Sequence, residues 1–75
     1  MSFEQLPDFT PAARQRWETI PEDIRPKLLA NVYCVHCGKE TTITNFKGSM
    51  QGLDLLLIGE CLLCHEGVAR VIEGL

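Results

Sequence analysis

"ECLLCHEG", residues 60–67, decides how this chain is read, because it fits two different metal sites. Cys61, Cys64 and His65 spell Cys-x-x-Cys-His, the attachment signature of a c-type haem. The same two cysteines form half of a four-thiolate site if a second pair lies elsewhere. One does: Cys34 and Cys37 in "YCVHCGKE", residues 33–40, with 23 residues between Cys37 and Cys61. Two residues between ligands let one tight turn present both sulfurs to one ion. Two such turns supply the tetrahedron of soft ligands that zinc prefers. The gap is slightly longer than the usual spacing of paired Cys-x-x-Cys zinc motifs and is long enough for two strands and a turn. Unrelated thiol pairs or a redox Cys-x-x-Cys explain the pattern less well. A redox pair usually opens a helix in a βαβ setting, and no such setting is visible.

The chain has 75 residues, enough for one small domain. A chain this short buries only about 60 % of the surface its unfolded form exposes, so a staple such as a metal is expected. What four cysteines mean depends on the redox compartment. The start, "MSFEQLPDFTPAARQRW", has no basic opening, no continuous apolar core and no plausible cleavage site, so it is not read as a secretory signal. The longest apolar run, "LDLLLIG", is far below the roughly 20 residues of a membrane span. The expected location is the cytoplasm, where thiols stay reduced and paired cysteines hold metals. That expectation counts against covalent haem.

The two motifs resemble the zinc-ribbon group, in which two Cys-x-x-Cys-Gly knuckles clamp one zinc beneath an antiparallel β-hairpin. The resemblance covers residues 33 to about 73. It implies one structural Zn2+ on Cys34, Cys37, Cys61 and Cys64. Gly38 stands where the first knuckle must turn with positive φ, and Lys39 follows it to soften the thiolate charge. The second knuckle departs from the pattern, with His65 where glycine is usual. Histidine tolerates a left-handed backbone better than most residues, and Gly67 is a further candidate for the sharp bend. His36 or His65 in place of one cysteine is the alternative ligand set; otherwise both are surface turn residues.

Upstream, residues 1–9 lack a period and read as an extended arm from which Phe3, Leu6 and Phe9 can pack. Thr10-Pro11 reads as a helix start, with Thr10 as N-cap and Pro11 in the first turn. Ala13, Trp17, Ile20, Ile24 and Leu28 recur at steps of three and four and share a helical face. Pro21 and Pro26 interrupt it, which predicts two short helices over about 11–19 and 22–30. The opposite face, with Arg14, Arg16, Glu18, Glu22, Asp23, Arg25 and Lys27, is expected to be solvated. Downstream, "TTITNF" (41–46) reads as a strand, "KGSMQG" as a turn, "LDLLLIGE" as a second strand and "VARVIE" (68–73) as a third. Leu53, Leu55 and Leu57 fall on one face of the second strand, Leu56 and Ile58 on the other; both faces are expected to be covered. The fold class is thus α+β and metal-stabilised. An N-terminal arm and helical segment (1–32) packs on a three-stranded antiparallel zinc ribbon (33–75) as one unit. Trp17 is the expected contact between the parts.

A site closed by four thiolates has no open coordination position, as in structural and unlike catalytic zinc. No phosphate loop, His-Glu-x-x-His or nucleophile with a base is present, so no enzymatic activity is expected. The resemblance raises nucleic acid as a partner, because such ribbons are common in transcription and translation proteins. Seven basic against ten acidic residues do not favour it. A protein partner fits better. Leu62 and Leu63, between two ligands, are the candidate contact residues, extended by Phe46 and Met50 near the hairpin turn. The bland alternative packs both leucines under the N-terminal segment. A third reading is a rubredoxin-like iron site for electron transfer, since ligand type alone does not separate iron from zinc. The knuckles lack the Cys-Pro-x-Cys-Gly form usual there.

Overall fold

The computed structural model describes residues 8–74. Phe3 and Leu6 of the expected arm lie outside the described residues; Phe9 is buried. Helix α1 spans Pro11–Glu18 and opens as its sequence dictates: the Thr10 hydroxyl accepts a hydrogen bond from the Ala13 amide at 3.2 Å. Such a cap is worth about 1 kcal/mol. Helix α2 is shorter than its periodicity suggested, Arg25–Leu29, with Pro26 in its first turn. That position suits proline, whose missing N–H would have no helical partner there anyway.

Five strands follow: β1 (Val32–Cys34), β2 (Lys39–Thr41), β3 (Ile43–Gln51), β4 (Asp54–Cys61) and β5 (Gly67–Ile72). The first two pair antiparallel as a hairpin, and the other three form an antiparallel sheet in the order β3-β4-β5. The small hairpin β1-β2 is an element the sequence reading missed. The expected strand 41–46 is in fact divided at Thr42 between β2 and β3.

The central turn also moves. "KGSMQG" is not a turn: all but its last residue continue β3, and the chain reverses at Gly52-Leu53, between the paired Gln51 and Asp54. Gly52 has φ +63 and Leu53 does not share the positive sign, the pattern of a two-residue type II′ hairpin. Gly48 is glycine for another reason. A Cβ there would fall 2.5 Å from the Phe9 ring, which lies on it, and Phe9 forms a parallel bridge to Gly48. Near its start β3 bulges between Thr44 and Lys47, where Asn45 takes φ 50. The bulged backbone leans over Gly59 of β4 so closely that a Cβ would lie 2.5 Å from the Thr44 carbonyl oxygen.

One core joins the helical segment to the sheets. Phe9, Ala13, Trp17 and Ile20 from the first third pack with Val32, Ile43, Leu55, Leu57 and Val68. Leu55 and Leu57 are fully buried, each worth about 1.5–3 kcal/mol relative to exposure. Trp17 is the expected junction. Its ring centroid stands 6.0 Å from Phe9 and 6.1 Å from Phe46.

Two expectations are corrected. The outer face of the sheet is not covered among the described residues: Ile58 is 50 % and Val71 54 % exposed, and Leu53, in the turn, is exposed too. The helical face expected to be solvated does expose Glu18, Glu22, Asp23 and Lys27, but its half-buried arginines contribute to the fold. Arg25 lies 5.6 Å over the Trp17 ring and donates to the carbonyls of Ile20 and Glu18. Arg16 donates to the carbonyl of Glu73, tying α1 to the end of β5. Each guanidinium satisfies carbonyl groups that a helix or strand end leaves open.

Candidate metal centre

The β1-β2 hairpin exists to turn through the first cysteine pair, and the β4-β5 connection turns through the second. Cys34 ends β1 and Cys61 ends β4. Both are fully buried in the core, while Cys37 and Cys64 are half-buried. The two turns are built alike. In the first, the Gly38 amide donates to the Cys34 carbonyl at 2.8 Å; in the second, the His65 amide donates to the Cys61 carbonyl at 2.9 Å. Gly38 has φ +71 and His65 φ +65. His65 thus does stand in for the knuckle glycine, and Gly67 takes no positive-φ bend; it opens β5.

The two turns bring all four sulfurs together. Cys34 Sγ lies 3.6 Å from Cys64 Sγ, and Cys37 Sγ 3.8 Å from Cys61 Sγ. The four ligand atoms fall within 4.8 Å of one another. Zinc–sulfur bonds of about 2.3 Å in a tetrahedron demand sulfur–sulfur edges of about 3.8 Å. The cluster therefore fits a tetrahedral metal ion, and no pair is joined as a disulfide. Neither histidine belongs to it. His36 Nε2 is 3.8 Å from Glu66 and His65 Nδ1 4.0 Å from Glu60, both exposed.

Backbone amides point at the sulfurs. Cys37 N–H donates to Cys34 Sγ and Leu63 N–H to Cys61 Sγ, each at 3.4 Å. Thr41, the one buried polar side chain among the described residues, places its hydroxyl 3.2 Å from Cys61 Sγ. That hydroxyl, helped by the amides of Cys64 and Leu63, outweighs burial and holds the Cys61 thiol down to about 6. Cys37 and Cys64 behave oppositely. A hydrogen bond with Cys64, then burial, then Cys61 and Cys34 push Cys37 up to about 12. For Cys64, the Glu66 amide favours the thiolate, but burial together with Cys34 and Cys61 outweighs it and raises the thiol. Thiolates packed this closely repel one another unless a cation lies between them, so the cluster is compatible with metal binding. Thr41 was not foreseen as part of the site. Its one clue is register, since it pairs with buried Val32 beside the first knuckle.

The expected contact residues divide. Leu62 and Leu63 are 52 % and 58 % exposed and do not pack under the helices. Phe46 and Met50 instead pack partly buried against the core, Phe46 within the ring cluster around Trp17. They lie on the same face of β3 as Gly48, so they do not extend an outer patch.

No protein-family model, curated protein or solved structure matches this chain. No helix among the described residues is long and apolar enough to cross a membrane.

Proposed function

We propose that this chain is a non-catalytic cytoplasmic protein that holds one structural zinc on Cys34, Cys37, Cys61 and Cys64 and serves as a protein-interaction module. The convergence of two knuckles on one sulfur cluster is the observation that carries this reading. Four protein thiolates fill the tetrahedron and leave no place for a water or substrate. Both sulfurs of the second pair turn toward the first pair, which favours a shared ion over haem attachment. Zinc is preferred to iron because the knuckles lack the proline form of rubredoxin-like sites. A chain of 75 residues is held by about 4–11 kcal/mol in all. Structural zinc contributes about 10–16 kcal/mol in small peptides, so the cation decides whether the ribbon folds.

A protein partner is preferred to nucleic acid because of where the positive charge goes. Arg16, Arg25 and Arg70 are bonded to backbone carbonyls, Arg70 also to the Asn31 side chain. The exposed lysines, Lys27, Lys39 and Lys47, stand far apart in the chain and form no run that would track phosphates. The experiment is elemental analysis of purified protein, followed by chelation watched by amide NMR. One zinc per chain and loss of amide dispersion in residues 33–74 on chelation are expected. A metal-free protein with an unchanged spectrum, or a coloured iron protein, would overturn the reading. Salt-dependent nucleic-acid binding, measured alongside, is expected to be weak.

A further inference from the structure

Val35 is 76 % exposed, Leu62 52 % and Leu63 58 %. These three fill three of the four positions between ligand cysteines; His36 fills the other. Sulfurs gathered within 4.8 Å bring the two loops close to each other. The 3.8 Å approach of His36 to Glu66 spans from one loop to the other. Loop tips are ordinarily polar, and here three aliphatic side chains stand in solvent on two turns whose sulfurs converge. None contributes to the core, so folding does not explain them, and an exposed apolar group with a polar rim marks a binding surface.

The charge flanking the two turns is predominantly negative. Glu40, Glu60 and Glu66 surround the turns against a single Lys39, and neither "YCVHCGKE" nor "ECLLCHEG" contains an arginine. A divalent cation on four thiolates adds two further negative charges. A second copy of this chain would bring like charge to the contact, and phosphodiester backbones would be repelled in the same way.

We propose that this knuckle end binds a basic, apolar segment of another protein, presenting aliphatic or aromatic side chains to Val35, Leu62 and Leu63 with Lys or Arg beside them. Binding requires the metal, because only the clamp holds the two loops side by side. The proposal rests on the metal reading given above.

The test uses the full chain loaded with Co2+ and two labelled peptides, one of alternating leucine and lysine and a twin with glutamate for lysine. The lysine peptide is expected to bind, more weakly as salt rises, and at least about tenfold more tightly than its twin. The double variant Leu62→Ser, Leu63→Ser is expected to lose about tenfold while the cobalt–thiolate absorption stays unchanged; Val35→Ser moves the same way. Ile58→Ser and Val71→Ser, on the exposed outer sheet face, are expected to leave affinity unchanged. Equal binding of both peptides, an unaffected leucine variant, or full binding after chelation would overturn the proposal. So would a dimer seen by sedimentation that the leucine variant abolishes, which would assign the surface to self-association. Absence of a cobalt–thiolate spectrum in the unsubstituted protein would instead sink the metal reading, and the proposal with it.

Discussion

Replacing His65 by glycine is expected to stabilise the protein, and replacing Gly38 by alanine to destabilise it, although neither residue touches the metal site through its side chain. Both close a knuckle with a left-handed backbone, φ +65 and φ +71, and both donate the equivalent amide hydrogen bond. An L-residue in that conformation costs about 1–2 kcal/mol. Glycine offsets part of this through its larger unfolded-state freedom, about 0.4–1 kcal/mol. The balance is about 0.5–1 kcal/mol at each site, with opposite signs. Sterics do not intervene at Gly38, where a Cβ would meet nothing within 4 Å. At position 65 the side chain is 74 % exposed, and its 4.0 Å approach to Glu60 contributes little in water. An unfolding entropy of about 2.1 cal/mol/K per residue converts the balance into a Tm shift of about 3–6 °C for a chain of this length. Circular dichroism melts at a fixed excess of zinc would read it. His65→Ala keeps the strained backbone and is expected to stay within about 0.5 kcal/mol of the unsubstituted protein. A lower Tm for His65→Gly, or an unaffected Gly38→Ala, would refute the backbone argument. A collapse of His65→Ala to the level of a cysteine variant would make the imidazole a ligand.

Three further outcomes are expected. Gly59→Ala puts a methyl 2.5 Å from the Thr44 carbonyl oxygen and 2.9 Å from Phe46 Cα. Backbone cannot swing aside like a side chain, so a loss of about 1–3 kcal/mol should appear in the denaturant midpoint; an unshifted midpoint would contradict the close approach. Leu57→Ala, at a fully buried position, should cost about 2–5 kcal/mol, read in the same titration. Metal affinity should rise with pH. Cys37, pushed up to about 12 by Cys64, burial and the other sulfurs, keeps its proton at neutral pH in the metal-free cluster and must release it on binding. Cys61, held down to about 6 by Thr41, resists protonation until pH falls through that value, and its contribution is lost below it. Competition titrations at pH 6, 7 and 8 check this, and a flat affinity profile would contradict it.

Local rules legible in the sequence held where the physics was local. Thr10 and Pro11 start α1 because a cap and a preset φ need only their own neighbours. His65 takes the glycine role because one residue's φ is at stake. The reading failed where a residue's purpose lay across the molecule. Gly48 looks like a turn residue, yet it is a seat for the Phe9 ring. Arg16 and Arg25 look like solvated charges, yet they close carbonyls on distant or broken backbone. Leu56 and Ile58 looked like a second buried face, but burial also needs a covering layer, and the single helical segment packs on one side.

By itself the sequence determined that the four cysteines fall into two pairs, each able to meet one ion. Two sulfurs separated by two residues can reach one ion from one turn, and that property survives any arrangement of the rest of the chain. The tertiary structure alone decided which cysteine of each pair is buried, that Thr41 stands beside Cys61, and that Val35, Leu62 and Leu63 remain in solvent. Those outcomes depend on how the core closes over each knuckle, which spacing along the chain does not encode.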